Sequence, residues 1–159
     1  MPKISNFTDF DSLAEEKDVS LYYVSDTGSL GQPDLIILPG SKNTTGDLQW
    51  LRQSGVAAAI KERYRNGTPL IGICGGYQML GTAIYDPLHT ETDCDSIEGL
   101  GLLPVETTFA AAKATYQVTA QWQALPFLEA TLTAPSLKGY EIHMLSLIHI
   151  SEPTRRVVI

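Results

Sequence analysis

A cysteine flanked by glycines is the residue of this sequence best suited to chemistry. Cys74 follows a short apolar run and stands within Gly72-Ile-Cys-Gly-Gly76, and the residues after it suggest the start of a helix. A strand, a tight Gly-x-Cys-x-Gly turn and a helix make a nucleophile elbow, here with cysteine in place of serine. Glycine allows backbone angles and close approaches that a side chain would forbid. The pattern predicts that Cys74 is a raised nucleophile.

The elbow also predicts how the thiol is activated. The dipole at a helix N-terminus favours the thiolate, and the N–H of Gly75 is positioned to stabilise a developing oxyanion. The same turn is compatible with a structural role, because free cysteine often acts as a small core hydrophobe. The second cysteine, Cys94, lies in an acidic loop, and we interpret it as incidental.

The elements that must hold the elbow precede it in the chain. Residues 19–24 are rich in β-formers and residues 34–38 form an apolar run, so each predicts a strand. Both precede the elbow strand at residues 70–73, which we expect to be buried on both faces. Between them, residues 44–65 predict one helix, which ends at Asn66-Gly67. Its expected buried positions are Leu48, Leu51, Ala58, Ala59 and Ile60.

This order predicts an α/β fold with a mostly parallel sheet flanked by helices. Ligands on such sheets bind at the carboxyl ends of the strands. Gly40 and Ser41 follow one predicted strand and Cys74 follows the next, so we expect them at one edge. An acidic loop at residues 86–97 then leads to an antiparallel β-rich part, with predicted strands at residues 105–109, 116–122, 131–133 and 139–143.

Composition narrows the class of protein. The 159 residues suit one domain with a hydrophobic core. The net charge of −7, without a Lys/Arg cluster, argues against nucleic-acid binding. No apolar run approaches the ~20 residues of a membrane span and no signal peptide is evident. Two cysteines make no disulfide framework, so we expect a cytoplasmic protein.

Four stretches of the sequence together resemble one family. They are residues 34–45 with Pro-Gly-Ser-Lys-Asn-Thr, the elbow at residues 72–81, Glu-Gly-Leu-Gly-Leu-Leu at residues 98–103 and Gly-Tyr-Glu-Ile-His at residues 139–143. This combination resembles the glutamine amidotransferase domain of the cobyric acid synthase family, which belongs to cobalamin biosynthesis, and covers residues 2–144. The elbow alone also fits other class I amidotransferase domains. The Pro-Gly-Ser-Lys-Asn-Thr stretch is what favours the cobyric acid synthase family over them.

The resemblance implies a class I fold with a flavodoxin-like core, in which Cys74 forms a thioester with glutamine and releases ammonia. It implies that Gly40, Ser41 and Gly75 surround the oxyanion and that Tyr77 and Gln78 line the glutamine pocket. The alternative for these two residues is that Tyr77 caps the elbow and Gln78 lies on the helix surface. No metal or cofactor is expected in this domain. The family's separate synthetase domain uses ATP and Mg to amidate adenosylcobyrinic acid a,c-diamide.

A cysteine of this type needs a general base, normally histidine. His143 is the candidate in this sequence, although the family's catalytic histidine resembles a later Tyr-x-His-Gly that is absent here. His89 is interpreted as a solvated residue. His149 lies in a stretch that resembles translated adapter or vector sequence. We therefore expect this chain by itself not to turn glutamine over.

These observations predict three regions. Residues 1–17 are a lead-in or linker from a missing N-terminal synthetase domain, residues 18–144 are a truncated amidotransferase domain, and residues 145–159 are a non-native tail. Two other functions stay open on the sequence. One is an amidotransferase for another acceptor, such as a peptidoglycan precursor or the substrate of cobyrinic acid a,c-diamide synthase. The other is a non-catalytic α/β binding module that keeps the elbow as a feature of its fold.

Overall fold

The computed structural model of the chain describes residues 1–120, 125–127, 130–132 and 136–149. A short 3₁₀ helix at Phe7–Phe10 leads into α1 (Asp11–Ala14). The first half continues with β1 (Ile36–Leu38), α2 (Thr44–Gln53), α3 (Val56–Arg65), β2 (Leu70–Gly72) and α4 (Gly75–Leu80). The second half contains β3 (Ala83–Tyr85), β4 (Ser96–Glu98), β5 (Val105–Ala120), β6 (Leu125–Phe127), β7 (Ala130–Leu132) and β8 (Leu137–His149).

The strands β1 and β2 form the parallel pair that the apolar runs predict. Ile36 pairs with Leu70 and Leu38 pairs with Gly72, so both strands end at the same level. The loop that begins at Pro39 and the turn that holds Cys74 therefore leave the same edge. This arrangement confirms that the two candidate segments meet at the carboxyl ends of neighbouring strands.

The C-terminal half is built on a four-stranded sheet of order β4-β3-β5-β8. The strand β3 runs parallel to β5, whereas β3 with β4 and β5 with β8 are antiparallel pairs. The predicted segments at residues 105–109 and 116–122 merge into β5, and the ladder to β8 is irregular between Phe109 and Ala114, where the two segments join. Residues 121–122 and 133, at the ends of two predicted strands, lie outside the described residues. The α/β class with an antiparallel C-terminal part is confirmed.

The strand predicted at residues 19–24 is wrong, because these residues form no regular element. Their aromatic side chains are held by other partners. The hydroxyl of Tyr22 donates to the carbonyl of Leu30 at 3.0 Å, and the ring of Tyr23 packs edge-on against Phe7 with centroids 5.3 Å apart. Residues 18–24 and β1 are among the residues that line a cavity of about 530 Å³.

The single helix predicted at residues 44–65 is also wrong, because the chain breaks it at Ser54 and Gly55. Gly55 adopts φ +79°, in the left-handed region that glycine tolerates at little cost. The break divides the predicted helix into α2 and α3. Leu48, Leu51 and Ile60 are buried as predicted, whereas Ala58 is exposed and Ala59 half-buried.

The elbow strand and the acidic loop also differ from the prediction. Ile73 is 39% exposed, so the elbow strand is not buried on both faces; within the described residues β2 pairs with β1 alone. The acidic loop is shorter than predicted, because Ser96–Glu98 pairs with β3 as β4. None of the helices in the described part of the chain has the length and apolar character needed to cross a bilayer.

The core lies between the β1–β2 pair, the helices and the start of the second sheet. Its buried members come mainly from β1, α2, α3, α4, β3 and β5, and Leu48, Met79 and Ile84 are fully buried in it. Met79 and Leu80 bring the elbow helix into this core, so the helix that follows Cys74 is anchored by hydrophobic burial.

We predict that Gly76→Ala lowers the free energy of unfolding by about 2 kcal/mol or more, because a β-carbon there would overlap the carbonyl oxygen of Leu38. Denaturant unfolding followed by circular dichroism measures the change. The matched control is Gly139→Ala, where a β-carbon meets no atom of the described residues within 4 Å. Equal stability of the two variants would contradict this packing.

Candidate active site

The turn between β2 and α4 has the geometry of a nucleophile elbow. Cys74 lies two residues beyond the end of β2 and immediately before Gly75, the first residue of α4. Its backbone angles are φ 51° and ψ −112°, a region that residues with a side chain rarely occupy and that costs about 1–3 kcal/mol. The side chain of Cys74 is exposed. A strained and exposed cysteine at a strand-to-helix turn fits the predicted nucleophile.

The glycines around Cys74 allow the backbone to approach closely. A β-carbon on Gly75 would lie 3.0 Å from Thr44 Oγ1 and 3.1 Å from the backbone nitrogen of Ser41. A β-carbon on Gly40 would lie 3.7 Å from the β-carbon of Cys74. The fold therefore brings together Gly40, Ser41, Cys74 and Gly75, as the sequence predicts.

Two backbone N–H groups stand beside the cysteine without a protein acceptor. Among the described residues, neither the N–H of Ser41 nor that of Gly75 donates a hydrogen bond to the protein. Gly75 is the first residue of α4, where a helix leaves its N–H groups without an intrahelical acceptor, and Ser41 is half-buried. Both N–H groups are therefore available to a ligand oxygen beside Cys74. Their oxyanion role stays a prediction.

The hydroxyl of Ser41 has a structural task instead. It donates to Asp47 Oδ2 at 2.7 Å and accepts from the backbone N–H of Asn43 at 3.0 Å. Asp47 is 1% exposed and also accepts from the backbone N–H of Lys3 at 3.0 Å. Asp47 lies in the first turn of α2, where an acidic residue is favourable in any helix, so no local signal revealed its role in holding the Ser41 loop.

The two residues predicted to line the glutamine pocket lie on α4. Gln78 is 6% exposed, so it is not a helix-surface residue, and its Oε1 atom has no partner among the described residues. Tyr77 is half-buried, and burial raises the pKa of its phenol. A buried amide oxygen without a donor is rare in proteins and needs an explanation. Contact with a substrate donor remains a prediction for both residues.

The sequence missed a carboxylate that reaches this region from the acidic loop. Glu91 Oε2 accepts from the backbone N–H of Thr44 at 2.8 Å and of Thr45 at 3.4 Å, at the N-terminus of α2. Burial raises the pKa of Glu91 against the lowering effect of these hydrogen bonds. No local signal identifies Glu91, because its partners lie 46 and 47 residues away in the chain.

Asp86 builds the loop that carries Glu91. Its Oδ1 accepts from the N–H and hydroxyl of Thr90, and its Oδ2 accepts from the N–H groups of Glu91 and Thr92, all at 2.7 to 3.0 Å. Burial by itself raises the pKa of this carboxyl, but the hydrogen bonds outweigh it and lower the pKa to about 2. The ionised Asp86 therefore fixes the backbone beside the candidate site.

The stretch at residues 98–103 closes the other end of α4. The N–H of Leu100 donates to the carbonyl of Met79 at 2.7 Å, and the N–H groups of Leu102 and Leu103 donate to the carbonyl of Leu80 at 2.8 and 2.9 Å. These bonds satisfy carbonyls that a helix C-terminus leaves unpaired. Two of the other three recognised stretches, residues 34–45 and 98–103, thus pack around the elbow helix.

The histidines do not complete the site in the described part of the chain. His143 lies in β8, where its backbone pairs with Ala114; its side chain lies outside the described residues, so its role as the base stays a prediction. His149 pairs with Val105 through its backbone, and its side chain is also outside them. His89 is exposed and lies 2.8 Å from Asp95, whose hydrogen bond raises the pKa of the imidazole.

The fold is that of glutamine amidotransferases. A solved structure described as a glutamine amidotransferase superposes with a TM-score of 0.59, covering 89% of this chain and 67% of that chain. The two sequences are 16% identical, so this similarity defines the fold alone.

The sequence itself then defines the family. The CobB/CobQ-like glutamine amidotransferase domain matches residues 1–158, and the chain belongs to this family of amidotransferases. Proteins described as cobyric acid synthase are 58% identical in Moorella thermoacetica and 54% identical in Yersinia enterocolitica, each over 145 residues and 91% of this chain. One from Anoxybacillus flavithermus is 48% identical over 158 residues. The chain spans 28% or 29% of the length of these relatives.

The loop of Asp86 yields a prediction about pH. In Asp86→Asn the amide nitrogen faces the N–H groups of Glu91 and Thr92, so we expect a loss of about 1 to 2 kcal/mol in the free energy of unfolding at neutral pH. Because the folded pKa of about 2 lies below the ordinary value of 3.8, the stabilisation by Asp86 is present above pH 4 and is lost as the pH falls towards 2.

Denaturant unfolding at several pH values measures this difference. The gap in stability between wild type and Asp86→Asn should narrow as the pH falls from about 4 to about 2. Asp93→Asn is the matched control, because Asp93 is an exposed acid in the same loop; it should match the wild type throughout. A gap that stays constant with pH would contradict the role of the Asp86 carboxylate.

Proposed function

We propose that this domain hydrolyses glutamine through a thioester on Cys74 and supplies the ammonia with which a cobyric acid synthase amidates adenosylcobyrinic acid a,c-diamide. The observation that carries the proposal is the strained, exposed Cys74, with φ 51°, beside the backbone nitrogen of Ser41. The relatives described as cobyric acid synthase support this acceptor over a peptidoglycan precursor.

In the proposed reaction, the thiolate of Cys74 attacks the side-chain amide carbon of glutamine. The carbonyl electron pair moves to the oxygen, which accepts hydrogen bonds from the N–H groups of Ser41 and Gly75. The C–N bond breaks, the leaving nitrogen takes a proton, and ammonia departs from a glutamyl thioester. Water then cleaves the thioester to glutamate and regenerates the thiol. The residue that moves these protons is His143 or a histidine outside this sequence.

Substrate binding is assigned to the helix that follows the nucleophile. Gln78 stands four residues after Cys74, one helical turn along α4, and its buried Oε1 is an acceptor without a donor among the described residues. An N–H donor of bound glutamine would satisfy it. Tyr77, the half-buried neighbour, is proposed to border the same pocket.

The ammonia is proposed to be used outside this domain. The relatives are more than three times as long as this chain, which covers 28% of them, and this length leaves room for a synthetase part that binds ATP, Mg and the corrinoid. No group of three or more potential metal-ligating His, Cys, Asp or Glu side chains comes together in the part of the chain described here. A reducing cytoplasm would keep the Cys74 thiol available.

Replacement of the nucleophile tests the proposal directly. In the full-length synthase, Cys74→Ala should lower glutamate release by about a thousandfold or more, because no other group forms the thioester. Cys94→Ala is the matched control, since Cys94 is exposed in the loop after Asp86, and it should keep the wild-type rate. Undiminished glutaminase activity in Cys74→Ala would contradict the proposal.

The alkylation of the same two cysteines separates a catalytic domain from a binding module. Near neutral pH, iodoacetamide should modify Cys74 faster than Cys94, because only the thiolate is reactive; mass spectrometry of digested protein gives both rates. Equally slow modification of the two residues would favour a non-catalytic α/β module.

The unpaired oxygen of Gln78 gives a separate prediction. Gln78→Met keeps the shape of the side chain and removes the orphan acceptor, so we expect unchanged or higher thermal stability but a roughly tenfold higher KM for glutamine. The matched control is Thr107→Val, which removes the other buried oxygen without a partner in the described residues. It should leave KM unchanged. An unchanged KM in Gln78→Met would restrict Gln78 to a role in the fold.

A further inference from the structure

The lead-in segment of the chain lies against the loop that bears the proposed oxyanion donor. Ile4 forms an isolated antiparallel bridge with Ser41. On either side of it, the N–H of Ser5 donates to the carbonyl of Gly40 at 2.9 Å and the N–H of Lys42 donates to the carbonyl of Lys3 at 2.8 Å. The segment is therefore not a free linker at residues 3–5.

The bond from Ser5 acts on one particular peptide group. The carbonyl of Gly40 and the N–H of Ser41 belong to the same peptide unit, which is planar and trans, so they point in opposite directions. The carbonyl faces Ser5. The nitrogen of Ser41 lies 3.1 Å from where a β-carbon of Gly75 would stand, on the side of the elbow. The hydrogen bond from Ser5 to the carbonyl of Gly40 thus fixes the direction in which the N–H of Ser41 points.

Glycine makes this bond necessary. A peptide that follows glycine rotates more easily than one between residues with side chains. A rotation of the Gly40–Ser41 peptide would turn the N–H away from Gly75 and present a carbonyl oxygen to the oxyanion, which would repel it.

A buried carboxylate holds the two segments together. Asp47 accepts from the N–H of Lys3 through Oδ1 and from the hydroxyl of Ser41 through Oδ2, at 3.0 and 2.7 Å. It is 1% exposed, so neither bond is replaced by water at small cost. Residues 3–5 and the loop at residues 40–42 are therefore joined both by backbone hydrogen bonds and through Asp47.

We infer that the backbone N–H of Ser5 is a positioning group for the amidotransferase reaction, which keeps the Ser41 N–H directed at the oxyanion. The inference rests on the proposed function. It assigns to Ser5 no contact with substrate and no role for its hydroxyl. Its consequence is that loss of the Ser5 N–H impairs the step that develops negative charge on oxygen and spares the reactivity of the thiol.

The test compares Ser5→Pro with Ser5→Ala in the full-length synthase. Proline lacks the N–H, whereas alanine keeps it and removes only the hydroxyl. We expect Ser5→Ala to keep the wild-type kcat and Ser5→Pro to lose roughly tenfold in kcat with little change in the KM for glutamine. Iodoacetamide displacement at Cys74 forms no oxyanion, so its rate should stay within about twofold of the wild type in both variants.

Two results would overturn the inference. One is a wild-type kcat in Ser5→Pro, and the other is a parallel fall in kcat and in the alkylation rate, which would mean that the elbow itself is disturbed. If Ser5→Pro does not fold, semisynthesis with lactic acid at position 5 removes only the N–H relative to Ser5→Ala, and the same fall in kcat is expected. Cys74→Ala, measured alongside, reports separately on the proposed function.

Discussion

The site depends on one backbone-to-backbone contact, in which the elbow packs against the end of β1 with no side chain between them. Gly76 faces the carbonyl of Leu38, and that carbonyl also accepts from the N–H of Ile73 at 2.9 Å. The turn can approach so closely because glycine has no β-carbon. The contact joins the turn after one strand to the end of its neighbour and so determines which groups surround the cysteine.

The elbow helix is too short to hold itself in place, since α4 has only six residues. It is held by its surroundings. The stretch after β1 meets its first turn, the stretch at residues 98–103 pairs with its last carbonyls, and Met79 and Leu80 are buried in the core. The stretches at residues 34–45 and 98–103 therefore pack against the two ends of α4, which explains why they occur together with the elbow.

Features that depend on neighbouring residues could be predicted from the sequence, and features that depend on distant ones could not. The Gly-x-Cys-x-Gly pattern indicated the elbow, and the apolar runs indicated β1 and β2, because both signals are local. Residues 19–24 have a strong preference for strand but lack a strand partner here, so tertiary contacts of their tyrosines override it. Gly55 did carry a local signal for the helix break, but an isolated glycine is compatible with a continuous helix.

The proposed chemistry likewise has one part that depends on neighbouring residues, the nucleophile, and one that depends on distant residues, the oxyanion donor. The nucleophile is placed by a turn of a few residues, and its strained backbone is a property of that turn. The proposed oxyanion donor, the N–H of Ser41, belongs to a peptide that is hydrogen-bonded to a segment about 35 residues earlier in the chain, through the bond from Ser5 to Gly40. A nucleophile set by local geometry persists wherever the elbow folds, whereas a donor set by a distant segment keeps its direction only while that segment stays bound to the loop. If the proposed chemistry holds, reactivity of the thiol and hydrolysis of the amide are separable properties, and the second depends on residues 3–5 as well as on the elbow.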